Sequence, residues 1–328
     1  MDLELTPDQR DVATAFARVL ARDSSIDRVR AAEDAGFDPA LWKTLTGMGV
    51  LDIAAGQEDA SGFVELALVA EEAGRRLACV PLVEAAVAAR LLAETGTTAG
   101  DGIVVLAPRP AEGGVAVLTP AGAVADAVVA LDGDELVLAH GPAGAPPGDL
   151  GFLAAADRTL RGADVDRRVL ASGGRAHALW RDARDRWRLA TAAACAGMAA
   201  QALDIAVRYA TERHQFGVPI GSFQAIAHPL ADVAMAGDGA RLVAREAAWR
   251  HDHGLASWRA AAAVAFAHAA ETAVRAGELC LHVHGGYGYT LEYDAQLYLR
   301  RAKATRLLAG DPDALWEEIG AVTIGGDR

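Results

Sequence analysis

Apolar residues recur at helical spacing through the first third of the chain. Phe16, Val19 and Leu20 share one face of a segment that opens at Thr6-Pro7-Asp8, a hydroxyl cap followed by proline at the first helical position. A second segment, Phe63 to Arg76, sets Leu66, Val69 and Ala70 on one face and Glu71 and Glu72 opposite. Pro81 interrupts, and Leu82 to Thr95 resumes the helical pattern. The texture changes near Gly102. Short β-branched runs appear at Ile103 to Leu106, Ala127 to Ala130 and Leu136 to Leu138, with Asp132-Gly133-Asp134 as a hairpin signal between the last two. Short strands with frequent turns predict a small sandwich or barrel, and Gly141 to Gly148 reads as a surface loop. From Ala176 onward the pattern is helical again. Leu189, Ala193, Gly197, Ala200, Leu203, Val207 and Ala210 form a stripe of mostly small residues, followed by two similarly long segments, Phe223 to Asp252 and Ser257 to His284. Such faces pack closely, which predicts a helical bundle. The expected division is an N-terminal all-α domain (1–97), a small middle β-domain (98–175) and a C-terminal four-helix bundle (176–328).

Composition narrows the field. The 328 residues include 31 basic and 44 acidic side chains, a net charge of −13. A surface that acidic repels phosphate backbones and anionic lipid, so neither nucleic acid nor membrane is expected as the main partner, while a local basic site for an anionic cofactor stays open. Cys79, Cys195 and Cys280 are far apart and form no metal pattern, so they read as buried thiols. Met1 to Arg10 lacks the layout of a secretion signal, and no stretch reads as a spanning helix, so a cytoplasmic protein is expected.

Two segments stand out chemically. In the first, a helix runs into Glu212-Arg213, turns at Gly217 to Gly221 and restarts near Ser222. Glycines let the backbone approach a ligand, and Arg213 offers a forked, permanently charged donor suited to phosphate; a plain helix corner with a solvated arginine is the alternative. In the second, Gly285-Gly286 reads as a glycine stop after a long helix, and Gly288 keeps the next loop compact. No strand precedes this Gly-Gly-Tyr-Gly stretch, so it is not the dinucleotide fingerprint of a βαβ unit. His282 and His284 lack a third partner at metal-ligand spacing, and no metal site is expected.

Together the two segments, Arg213-x-Gln-Phe-Gly with Phe223-Gln224 and then His284-Gly-Gly-Tyr-Gly-Tyr-Thr, resemble the acyl-CoA dehydrogenase superfamily. Leu66 to Arg76 with Pro81 is similar to its N-terminal helix, Ala125 to Val129 to a middle-domain strand, and Arg300 to Lys303 to its last long helix. The likeness spans nearly the whole chain and implies an acyl-CoA dehydrogenase-like α–β–α fold. It implies FAD, a glutamate that takes the α proton of an acyl-CoA thioester, and hydride transfer from Cβ to the flavin. It also implies that each chain contacts the ADP half of its neighbour's FAD. The matching positions are Arg213 for the pyrophosphate, with Gln215, Phe216, Ile220, Phe223, Gln224, Ile226, His282, Gly285 and Gly286 around it.

The departures concern catalysis. The family's usual base position, just after the last long helix, holds Ala309, and the alternative position on the bundle's first helix holds Trp187. A methyl group accepts no proton. Asp185 lies two residues from the alternative position and points to another face; Asp311-Pro312 fits a helix cap; Glu317 and Glu318 read as ordinary surface acids. Ala107 to Gly114 replaces the family's Gly-Ser-Asp stretch, no Trp-Ile-Thr strand is found, and the N-terminal Gly-Gly loop is shortened to Gly56 to Gly62. Within the family the chain resembles the shortened, non-catalytic subunits of actinobacterial heteromeric steroid-CoA dehydrogenases. It implies an α2β2 assembly with a full-length catalytic partner, a shared FAD, an acyl-CoA substrate of steroid origin and electron-transfer flavoprotein as acceptor. The alternatives are a homo-oligomeric dehydrogenase with a relocated base and a flavin-free scaffold.

Overall fold

The computed structural model describes residues 4–55, 62–98, 100, 102–144, 148 and 150–324. Most of the shortened glycine loop, residues 56–61, and residues 145–147 of the expected surface loop lie outside these.

Six helices come first: α1 (Pro7–Asp23), α2 (Ile26–Ala31), α3 (Pro39–Gly47), α4 (Val50–Ala55), α5 (Phe63–Arg75) and α6 (Leu82–Glu94). The Thr6 hydroxyl accepts from the Gln9 amide at 3.2 Å and the Gln9 side chain accepts from the Thr6 amide at 3.0 Å, a reciprocal cap that starts α1 where the sequence predicts. Helix α5 is capped from far away. Its first amides, Phe63 and Val64, donate to the Asp252 carboxylate at 2.9 and 3.0 Å, 189 and 188 residues along the chain.

The strands are β1 (Val104–Leu106), β2 (Val115–Thr119), β3 (Ala127–Asp132), β4 (Glu135–His140), β5 (Ala156–Thr159) and β6 (Asp166–Ser172). They form an open four-stranded sheet, order β1-β3-β4-β6, and a separate β2–β5 ribbon rather than a barrel. The β1–β3 pair is parallel; β3 and β4 join through the predicted hairpin, in which Asp132 pairs with Glu135 and Gly133 takes φ 62°. The sheet is buried on both faces. Val104, Leu106, Val129 and Leu138 face the helices, whereas Val105, Val128, Val137 and Ala139 join Ala116 and Leu160 in a second core. That is why β3 reads as an unbroken apolar run instead of alternating.

The remainder holds α7 (Gly173–Glu212), a small hairpin of β7 (His214–Gln215) and β8 (Val218–Pro219), α8 (Gln224–Asp252), α9 (Trp258–His284), α10 (Ala295–Leu308) and α11 (Pro312–Ile324). Small residues set the spacing. A Cβ on Gly74 of α5 would fall 2.0 Å from the Ala194 carbonyl oxygen, and one on Gly197 of α7 would fall 1.8 Å from that of Glu71. The two helices cross where each has only hydrogen to offer. One expectation needs correction: α7 does contain an 18-residue window apolar and long enough to cross a membrane, but 61% of that window is buried inside the protein, where its alanines pack the core.

Candidate functional site

Tyr209, on the last turn of α7, and His284, at the end of α9, bring the two motif segments together. Their rings stack with centroids 4.0 Å apart, and Tyr293 sets its edge against both, at 6.3 and 5.5 Å. The buried His284 donates through Nδ1 to the Cys280 carbonyl at 2.7 Å, which fixes the ring. The two histidines of the second motif therefore part company: His284 is structural and His282 faces outward. Gly285 ends α9 with φ 61°, as its lack of a side chain allows.

Arg213 terminates α7. Its carbonyl accepts from the Ile220 amide at 2.8 Å, closing the β7–β8 hairpin back onto the helix. At the tip Phe216 sits in the left-handed region, φ 53°, and is 93% exposed, its ring set edge-on to Phe223 with centroids 6.2 Å apart. A phenylalanine so held and so exposed is a surface that awaits cover. Arg213, Gln215, Phe223, Gln224, His282, Gly285 and Gly286 are also exposed, whereas Ile220 and Ile226 are half-buried and anchor the turn to the core. Among the described residues no carboxylate pairs with Arg213, and no side chain caps the first amides of α8. A free guanidinium, an uncapped helix start and two glycines with open space where a Cβ would stand fit the anionic pyrophosphate and flat rings of a dinucleotide such as FAD.

The positions associated with a catalytic base are elsewhere. Trp187 is buried in α7 and its indole Nε1 donates to Glu84 Oε1 at 3.0 Å. Ala309 follows α10, half-buried beside Pro312, Leu315 and Trp316. Asp185 is buried and paired with Arg184 and Arg188 at 3.0 and 3.2 Å; burial pushes its carboxyl up while those arginines pull it down. Asp311 accepts from the Asp313 amide at 3.0 Å, the predicted cap of α11. Glu318 is not an ordinary surface acid. It joins Arg188 and Arg184 at 2.9 and 2.8 Å, and the hydrogen bond from Arg188 holds its carboxyl below the usual glutamate range.

Sequence reasoning missed Glu84. It is an acid in an otherwise apolar stretch of α6, and that isolation is the signal that marks it. Its carboxyl lies deep between α6 and α7, and the accessible area it keeps is toward cavities it lines. Burial pushes its carboxyl up, against the pull of the Trp187 hydrogen bond, and no cation pairs with it among the described residues. All three cysteines are free and buried, with burial pushing Cys195 and Cys280 up to about 12.

The profile of the acyl-CoA dehydrogenase C-terminal domain matches residues 173–324. Acyl-CoA dehydrogenase IpdE2 of Mycolicibacterium smegmatis is 32% identical over 306 residues, which covers 90% of this chain and 92% of the relative. Acyl-CoA dehydrogenase FadE27 of Mycobacterium tuberculosis is 31% identical over 332 residues, covering 87% and 88%. Among solved structures, the ChsE4-ChsE5 complex from Mycobacterium tuberculosis matches with a TM-score of 0.87 at 25% identity and covers 100% of both chains. A variant of the Tcur3481-Tcur3483 steroid ACAD matches with a TM-score of 0.83 at 25% identity, covering 97% of this chain and 98% of that one.

Proposed function

The chain belongs to the acyl-CoA dehydrogenase family, and within it we propose that the protein is the non-catalytic subunit of a heteromeric, FAD-dependent enzyme that desaturates an acyl-CoA thioester. The observation that carries this reading is an asymmetry. The Arg213–His282 face is assembled, exposed and unpaired, while Ala309 and the buried Trp187 stand where the resemblance puts a base.

In this reading Arg213 and the start of α8 would hold the pyrophosphate of a partner's FAD, with Phe216, Phe223, His282 and the Gly285-Gly286 backbone as its further contacts. FAD supplies the hydride-accepting chemistry when bound; this chain's residues orient it and exclude water. The catalytic partner is a full-length homologue in an α2β2 assembly, and the two-protein complexes among the structural neighbours support that arrangement. Likeness to a steroid ACAD supports a steroid-derived CoA ester as substrate. Electron-transfer flavoprotein as acceptor and a cytoplasmic location complete the proposal, with residues 1–97, 98–175 and 176–328 as domains.

The test is flavin stoichiometry and mass of the chain purified alone and with a full-length homologue encoded beside it. One FAD per heterodimer and none on the lone chain is the expected result. A stable homo-oligomer with one FAD per chain would overturn it.

One observation favours a second reading. Glu84 places a carboxylate against Trp187, one side chain from the alternative base position. If this chain performs its own proton abstraction, Glu84→Gln abolishes turnover by the homo-oligomer; in the heteromeric reading the same change leaves turnover by the complex intact.

A further inference from the structure

The Arg213–His282 face is built from two stretches far apart in sequence, 213–226 and 282–286. Among the described residues no hydrogen bond or ion pair crosses from 209–226 to 282–293. What crosses is a ring contact. Tyr209 of α7 stacks on His284 of α9 with centroids 4.0 Å apart and planes inclined by 28°.

Each ring is fastened to its own stretch. The Tyr209 carbonyl accepts from the Arg213 amide at 2.9 Å, and the Arg213 carbonyl accepts from the Ile220 amide at 2.8 Å. Gly221 tucks the hairpin against α7, since a Cβ there would lie 3.1 Å from the Ala210 carbonyl oxygen. On the other side, His284 stands directly before Gly285-Gly286, and its Nδ1 donates to the Cys280 carbonyl at 2.7 Å. Gly288 folds the loop back over that histidine, because a Cβ on Gly288 would lie 3.1 Å from the His284 Cβ. Tyr293 closes the joint edge-on to both rings, and the next residue, Asp294, is held by Arg30 of α2 at 2.8 Å.

The end of α7 has little else to orient it. From Thr211 to Val218 every residue is exposed. The last packed side chains before Arg213 are Tyr209 and Ala210, and a methyl group sets no direction. A binding constellation loosens when its parts stray by more than about 0.5 Å, so the joint between the two stretches matters as much as the groups that touch the ligand.

We propose that Tyr209 is a positioning residue for the Arg213–His282 face. Stacked on His284, it fixes the distance and angle between the Arg213 guanidinium and the Gly285-Gly286 backbone, and it sets affinity for a partner's FAD by acting through Arg213. The ring does this and the hydroxyl does not, so phenylalanine can replace it. The inference rests on the proposed function, and it adds a residue of this chain that governs the strength of the shared site.

The test is an FAD titration of the flavin-stripped complex with the full-length partner, read by flavin fluorescence. Tyr209→Leu should raise Kd about tenfold, while Tyr209→Phe, which keeps the stack, should stay within about twofold. In an Arg213→Ala background Tyr209→Leu should change Kd by less than about twofold, because the two residues act as one unit. A tenfold loss in both backgrounds, an unmoved Kd, or an equal loss with leucine and phenylalanine overturns the positioning role alone. An Arg213→Ala complex that binds FAD as well as the unaltered one overturns the flavin-face reading and this inference with it. Should Tyr209→Leu not fold, Tyr293→Leu, which removes only the edge contact, enters the same cycle. A loss of about threefold that vanishes beside Arg213→Ala is then the expected result, and an additive or absent loss the contrary one.

Discussion

The indole Nε1 of Trp187 donates to Oε1 of Glu84 at 3.0 Å, across 103 residues of sequence, and joins α6 to α7 at the point where the resemblance places an alternative base. The contact satisfies an indole that would otherwise be buried without a partner, and it keeps one acid in an apolar interior.

A raised carboxyl makes a signed prediction. Glu84 is pushed above its ordinary value of 4.5, so its favourable contribution is complete below that value and is lost as pH rises through the folded-state value. Glu84→Gln still accepts from Trp187 and carries no charge. It should therefore raise the stability of the chain by about 1–2 kcal/mol at pH 8 and leave it nearly unchanged at pH 4. Thermal unfolding at both pH values decides; an equal shift at the two would sink the idea.

Glu318 carries the opposite sign. Its carboxyl is held low, chiefly by Arg188, so its contribution is present above 4.5 and fades as pH falls through the folded-state value. With 38% of its side chain exposed, solvent screens the pair, and Glu318→Gln should cost about 1 kcal/mol or less at pH 7. Urea unfolding of both proteins at pH 7 and pH 3 should show the difference closing at the lower value.

Arg213→Ala separates binding from folding. The side chain is exposed and unpaired, so Tm of the lone chain should move by less than a degree or so. FAD retention by the complex should fall, by about 1.5–3 kcal/mol for each charge-assisted bond lost. Flavin absorbance after dialysis measures it, and undiminished occupancy would count against the proposed contact.

Gly197→Ala tests the helix crossing. Its Cβ would meet the Glu71 carbonyl at 1.8 Å, and α5 would have to withdraw from α7. A loss of about 3 kcal/mol or more, or failure to express in soluble form, is expected. Gly286→Ala is the control, because nothing lies within 4 Å of a Cβ there and folding should be unaffected.

Local signals were legible in the sequence and distant ones were not. Thr6 with Pro7, the Asp132-Gly133-Asp134 turn and the long helices each depend on neighbours in the chain, and their predicted ends fall within a few residues of those observed. Strand β6, Asp-Arg-Arg-Val-Leu-Ala-Ser, carries no apolar alternation because Arg167 spends its charge on Asp132 and Glu135 at the sheet edge. The short helices α2 to α4 were likewise too brief for periodicity to mark. At the site, the motif residues announced themselves by clustering in two segments. The partners of Glu84 and Glu318 did not, since Trp187, Arg184 and Arg188 reach them only through the packing of α6, α7 and α11.

The cap that Asp252 places on α5 also orders events during synthesis. Helix α5 emerges with only Glu65 reaching back to the Gly62 amide, while the carboxylate that takes the Phe63 and Val64 amides is translated 189 residues after Phe63. At 5–20 residues per second that interval is roughly ten to forty seconds. Until Asp252 arrives the first turn of α5 lacks its seal, and until α7 is made its apolar face lacks the groove it fills, so the first helical third waits on the ribosome for the bundle that completes it.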